Sequence, residues 1–393
     1  MATRRFRCLW WQCEARSNLI IAMVKRTQIL VFLGMLGSLL LSSTAQSQSG
    51  ETLQLRVVPI PVNSYRLLSM SMDAQGFIWA GSIHRQIHRY DPRTAVLTTI
   101  ALPYDATASA CISVGHKVYI LGQSFRQLII YDQERQSFSA KPYPSPQPEV
   151  WYGTESADGR HIYLFDRGTK GVIKWDTEAD VGTVIDWPYR VPVPSGGRIE
   201  QRDNALWCNV WDFGSGQYKP VGIARLDLKS DTFTGWYPFP ADDAELEPYQ
   251  TPASTFFLPY TLKGKLVPFD FQQQRWCKFL PVPRYGEVFA FMGGPVLHKG
   301  RSYYSLSTYN GTDVGCDGQP YHFCNAVLQF DPKSRAFEFL TLDAGSDKYY
   351  QVAYMLSAGG EFFATGTNIR EPDGTLNRDR AGEVVFWQTL QSR

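Results

Sequence analysis

From Thr52 onward, apolar and polar residues alternate in short runs, and each run ends at glycine, proline, asparagine or aspartate. Alternation with a period of two predicts half-buried β-strands, and the punctuating residues predict tight turns between them. No long apolar stripe with the 3.6-residue period of a helix follows residue 45. The chain therefore reads as all-β.

The pattern repeats. "YDPRTAVLTTIALP" begins at Tyr90, "YDQERQSFSAKPYP" at Tyr131 and "WDTEADVGTVIDWP" at Trp175. "LDLKSDTFTGWYPFP" follows at Leu226, "FDFQQQRWCKFLPVP" at Phe269 and "FDPKSRAFEFLTL" at Phe330. The shared aspartates are Asp91, Asp132, Asp176, Asp227, Asp270 and Asp331, at intervals of 41 to 61 residues. A degenerate copy, "VVFWQTLQSR", puts Trp387 in the aspartate's place. Upstream of most copies stand a short strand, a Gly or Asn turn and an aromatic strand, as in "LLSMSMDAQGFIWAGS" and "CISVGHKVYILGQS". Each unit is thus an antiparallel meander of strands A to D. Such units at this period predict a seven-bladed β-propeller of four-stranded blades. The aspartates open the C–D turns, where a carboxylate accepts backbone N–H groups, so they are expected to be structural.

"TLQLRVVPIPV", Thr52 to Val62, stands alone before the first unit. It ends in the Pro-x-Pro step of several D strands ("AKPYP", "WYPFP", "FLPVP"), and the last unit runs out of chain after its strand C. The N-terminal strand is expected to complete the last blade and close the ring, with proline tolerated because D is an edge strand. Blade five is the irregular one: only "STFFLPYTLKGKLVPFD" precedes its aspartate, so its strand A must lie in "ELEPYQTP" or be distorted.

Residues 27–42 form an apolar run behind Lys25 and Arg26, with Ser43 and Ala45 at the small positions of a cleavage site. This predicts a secretory signal cut after Ala45, starting from Met23, with residues 1–22 an artefact of the gene start. An uncleaved anchor is the alternative; the run is shorter than the ~20 residues of a relaxed span. Residues 1–45 carry six of the chain's 39 Lys and Arg and one of its 37 Asp and Glu, so residues 46–393 carry 33 against 36, a formal −3. That balance gives no basic domain for nucleic acid. The expected product is a secreted or periplasmic single-domain monomer of residues 46–393, with no membrane span after cleavage.

Export implies an oxidising compartment. Cys316 and Cys324 flank one loop and are expected to form a disulfide; Cys111 and Cys208 lie in apolar strands and read as buried thiols, and Cys277 has no evident mate.

In a propeller the B–C and D–A loops share one face, the top. The long loops fall there and carry aromatic residues: Trp151, Trp211, Phe213, Tyr218, Tyr249, Tyr309, Tyr321, Tyr349 and Tyr350. Exposed aromatics suit sugar rings, peptides or protein surfaces; the same residues could instead pack the loops together. Glu155 and Glu200 end strand A in adjacent blades and could hold Ca²⁺ or Mg²⁺, or pair with Arg198 and Arg202. His84 and His88 have the spacing of a surface pair on one strand. His116, His161 and His298 belong to A–B turns, and His322 is the histidine placed on the top face.

"AQGFIWAGSIHRQIHRYDP" and "DNALWCNV" resemble the streptogramin (virginiamycin B) lyase group of seven-bladed propellers; "HKVYILGQ" and "GRSYYSLS" resemble kelch repeats without the double glycine. The first resemblance implies a metal-dependent lyase using a histidine and glutamates with Mg²⁺ in the late blades. Blade seven has no histidine, and Glu361 falls in a turn. Three functions are carried forward: a binding module for a carbohydrate, peptide or protein; a lyase or hydrolase using Glu155, Glu200 and His322; and a structural interaction platform.

Overall fold

The structure is a computed structural model. It describes residues 58–60, 67–82, 85–104, 108–122, 126–168, 171–189, 193–212, 219–260, 264–283, 290–308, 322–341, 350–368 and 384–388. All of them belong to the second of two units into which the chain divides, Glu51–Arg393.

After β1 (Val58–Ile60), the first meander holds β2 (Leu67–Met72), β3 (Ile78–Ser82), β4 (Gln86–Asp91) and β5 (Val96–Ala101). The second holds β6 (Ala110–Val114), β7 (Lys117–Leu121), β8 (Gln127–Asp132) and β9 (Ser137–Pro142). In the third are β10 (Val150–Glu155), β11 (His161–Asp166), β12 (Gly171–Asp176) and β13 (Val181–Asp186). The fourth contains β14 (Val193–Arg202), β15 (Ala205–Asp212), β16 (Lys219–Asp227) and β17 (Thr232–Pro238). The fifth is shorter: β18 (Thr255–Tyr260), β19 (Lys265–Asp270), β20 (Arg275–Trp276) and β21 (Leu280–Pro281). The sixth has β22 (Ala290–His298), β23 (Arg301–Thr308), β24 (His322–Asp331) and β25 (Ala336–Thr341). The last has β26 (Tyr350–Ala358), β27 (Glu361–Asn368) and β28 (Val384–Gln388), and its outer strand is β1.

First strands of neighbouring sheets pack on one another: β2 on β6, β6 on β10, β10 on β14, β22 on β26, and β26 on β2. The sheets therefore stand around one axis, as an all-β propeller. The orphan strand pairs antiparallel with β28, Ile60 opposite Val384.

The C–D turns follow the aspartates. Asp176 Oδ1 accepts the N–H of Glu178 and of Ala179 at 2.9 Å, and Asp91, Asp132, Asp227, Asp270 and Asp331 make the same kind of turn. Four residues after each aspartate the backbone turns left-handed, at Ala95, Gln136, Asp180, Asp231, Gln274 and Arg335. These turn hydrogen bonds hold the carboxyls of Asp132, Asp176, Asp227 and Asp331 below the ordinary range, and Arg93 does so for Asp91. Every D strand except β25 of the sixth sheet then ends in a residue followed by proline. Leu102, Tyr143, Trp187 and Val282 are buried there, and Leu102, Phe239 and Val282 spend their N–H on a strand-C carbonyl. Proline stops the ladder at the next step.

Six sheets have four strand positions; the fifth departs from the expected four. β20 and β21 both pair with β19, so they share one outer position and β18 is innermost. In chain order the connection 239–254 stands where strand A would, but it runs beside the outer position, where Arg275 of β20 pairs with Glu247 at 2.7 Å. Lys278 N donates to Glu247 O, and Tyr249 Oη donates to Pro332 O in the sixth sheet's turn, at 2.8 Å each. Tyr249 is thus not a loop-surface aromatic. It is 3% exposed and packs on Phe257, because the connection descends between sheets.

The inner edge of β18 is capped. Pro268, opposite Phe257, turns its carbonyl outward to Cys277 N, so Thr255, Phe257 and Pro259 turn their backbone groups inward. Thr255 N donates to Pro252 O, Phe257 O accepts from Tyr304 Oη at 2.8 Å, and Pro259 has no N–H. These are the devices that keep an edge strand from pairing.

Cys111, Cys208 and Cys277 are free and buried. Burial pushes the Cys208 thiol up to about 12. Cys316 and Cys324 lie outside the described residues.

Candidate functional site

Strand direction alternates, so B strands end and C and A strands begin on the top edge of the sheets. Trp211 is the penultimate residue of β15, opposite Val193 and Pro220, and is half-buried. Trp151 stands at a register shift between Val150 and Tyr152 near the start of β10; a bulge of this kind bends a strand at its end. Tyr350 opens β26 opposite Asn368, and His322 opens β24 opposite Thr308. These four positions share the top edge. Phe213, Tyr218, Tyr309, Tyr321 and Tyr349 lie outside the described residues.

Glu155 and Glu200 belong to the opposite end. Glu155 faces Ile162 beside the A–B turn, and Glu200 faces Trp207 close to the Asp203–Asn204 turn. The counterpart of Glu200 in the third sheet is Thr154, opposite Tyr163, so the two glutamates sit one register position apart. Both are separated from the His322 position by the length of a strand, roughly 17–20 Å. Among the described residues, no group of three or more His, Cys, Asp or Glu side chains is gathered as a metal site.

The histidines divide by burial. His88 is not a surface residue: it is 0% exposed, 3.0 Å from Thr99 Oγ1 through Nδ1, and burial lowers its pKa to about 4. Alternation identified its face of β4 without showing that the face is covered. Its register counterparts, such as Ile129 and Ile173, are aliphatic. His84 is outside the described residues. His298 is buried against Tyr303 and Phe362, with Nδ1 2.9 Å from Ser357 Oγ. Burial and then Lys299 lower its pKa.

One top-edge residue escaped the sequence reading. Asp166, 0% exposed at the end of β11, accepts the N–H of Glu149 at 2.8 Å and of Gly168 at 3.0 Å. Arg167 adds an ion pair to Glu149 at 3.2 Å. Together they tie the D–A connection before Trp151 to the third sheet's B–C loop. "FDRG", an aspartate at a strand end before glycine, was the available signal.

No family model and no curated protein sequence matches the chain. Solved structures do match. A catalytically inactive histidine-to-alanine form of virginiamycin B lyase from Staphylococcus aureus with quinupristin aligns with a TM-score of 0.60 at 12% identity, over 86% of this chain and 99% of that one. The scaffold resembles that of the virginiamycin B lyase propellers. The selenomethionine-substituted lyase from the same organism gives a TM-score of 0.58 at 12% identity, covering 86% and 100% of the two chains. A streptogramin B lyase structure gives 0.58 at 12%, covering 85% and 96%. Identity this low carries the fold and no activity.

Proposed function

We propose that this chain is an exported, seven-bladed binding protein, counting the shortened fifth sheet as a blade. Its ligand is a carbohydrate, peptide or protein held by the aromatic residues of the top face, with Trp151, Trp211 and Tyr350 at the sheet edge. Phe213, Tyr218, Tyr309, Tyr321 and Tyr349 belong to the loops above it. The observation that supports this reading is the division of labour between the two ends. The lower end is taken up by aspartate turns and packed histidines, while Asp166 braces the approach to Trp151 at the upper end.

The lyase reading rests on the scaffold likeness. It draws no support from Glu155, Glu200 and His322 acting together, because their backbones stand at opposite ends of the sheets.

A thermal-shift screen of the purified protein against glycans, peptides, Ca²⁺ and Mg²⁺, with and without chelator, tests the proposal. A ligand at ~100 times its Kd stabilises the fold by ~2.7 kcal/mol. A rise with a glycan or peptide alone is expected. A metal-specific rise that chelator reverses would move the site to the carboxylates and favour the enzyme.

A further inference from the structure

We propose that the joint between the first and last sheets is an oxidation-sensitive closure, with Met70 and Met72 as its reactive groups. At this joint β2 packs on β26, and the ring meets itself. Its buried centre is small: Ile78, Ala80, Tyr90 and Phe363, with Met70, Met72, Leu97 and Leu356 packed around them. Among the described residues, the outer strand that completes the last sheet is Val58–Ile60, and Pro59 brings no N–H to it.

Residues 46–393 contain four methionines, Met70, Met72, Met292 and Met355. Two of them stand two apart on β2, on one side of the strand. Both are half-buried, so a small oxidant can reach them. Met72 Sδ lies 3.7 Å from where a Cβ on Gly359 would stand, in the A–B turn of the last sheet. Thioethers suit an irregular seam because they are flexible and polarizable. They also carry its chemistry. With hydrogen peroxide, the sulfur lone pair attacks one peroxide oxygen and the O–O bond breaks. Sulfur gives up two electrons, and the products are sulfoxide and water. The S=O dipole then lies in an apolar contact, the known way in which this oxidation disrupts cores. A methionine sulfoxide reductase with a dithiol returns the thioether, releasing disulfide and water.

The test is a peroxide titration of the purified protein. Peptide mass spectrometry locates the added oxygen, with melting temperature and amide exchange of residues 58–60 and 384–388 followed in parallel. Oxidation at Met70 and Met72 is expected to lower Tm by roughly 3 °C or more and to speed exchange in the two closing strands about tenfold. The Met70→Leu, Met72→Leu variant should keep its Tm in peroxide, and reductase treatment of the oxidised wild type should restore it. That recovery stands whether or not the double variant folds. Three results would overturn the proposal: full oxidation of Met70 and Met72 without change in Tm or exchange, an equal fall in Tm in the leucine variant, or reduction that restores the thioethers but not the Tm.

Discussion

Lys174 on β12 donates to both carboxylate oxygens of Asp231, at 2.9 and 2.8 Å, across the boundary between the third and fourth sheets. Asp231 is the left-handed residue of the fourth sheet's C–D turn, with φ of 53°. The same turn position serves other boundaries. Lys117 reaches Asp180 at 2.9 Å, Tyr237 meets Gln274, and the Arg335 guanidinium lies 4.6 Å from the Tyr249 ring centre. At four of the six turns, the residue that the turn forces left-handed is also the one that locks its sheet to the preceding strand or connection.

Asp231→Ala should therefore destabilise more than Asp231→Gly, although both remove the ion pair. A half-exposed pair contributes about 0.5–1 kcal/mol, and alanine at positive φ adds about 1 kcal/mol that glycine avoids. Chemical denaturation of the two variants measures the difference. Equal losses would show that the left-handed turn carries no strain.

His88 sets an acid limit. It is a base whose folded pKa, about 4, lies below its ordinary 6.5, so the folded state binds its proton later than the unfolded state. Stability is complete above pH 6.5 and declines as pH falls toward 4, by up to about 3 kcal/mol. The turn aspartates have lowered pKa values, so their contribution falls away only below the ordinary carboxylate range, near pH 3.8. His88→Leu should flatten the decline between pH 6.5 and 4 and leave the steeper loss below it. Melting curves across that range read this directly; an unchanged slope would contradict it.

Tyr304→Phe removes the hydroxyl that caps the inner edge of the fifth sheet, where Tyr304 and Phe257 are 0% and 2% exposed. A buried carbonyl left without its donor costs about 1–3 kcal/mol. Urea unfolding should register that loss, whereas a neutral result would mean that the Phe257 carbonyl finds another donor.

Asp166→Asn keeps the shape of the side chain and weakens its hold on Glu149 and Gly168. Loss of a charge-assisted bond should cost about 1–2 kcal/mol. Amide exchange at Glu149 and Gly168 should rise before that of the sheet core.

The repeat was legible because its punctuation has a mechanism: six C–D turns take an aspartate oxygen, and most D strands stop at an X-Pro step. Ile60-Pro61 therefore announced an outer strand far from its own sheet. The left-handed positions were not legible, since Ala95, Gln136, Asp180 and Arg335 share no chemistry; the turn geometry imposes the conformation on whatever residue arrives there. Tyr249 misled because a residue in a connection reads as exposed, and here the connection is buried where it passes between the fifth and sixth sheets. His88 misled because period two names a face and not its cover. At the candidate site, the sequence put Trp211 and Tyr350 in loops, whereas they fall within the ends of β15 and β26, and Asp166, near Trp151, was overlooked because aspartates already had a role in the turns.

The most direct test of a top-face site compares variants at the two ends of the sheets. A glycan or peptide that raises the melting temperature of the wild type should be titrated by calorimetry against Trp211→Ala and against Arg93→Ala, whose Arg93 side chain is exposed on a lower turn. Trp211→Ala is expected to weaken binding at least about tenfold, roughly 1.4 kcal/mol, with its fold intact, and Arg93→Ala to bind as wild type does. Unchanged affinity in Trp211→Ala, or loss confined to Arg93→Ala, would contradict a top-face site.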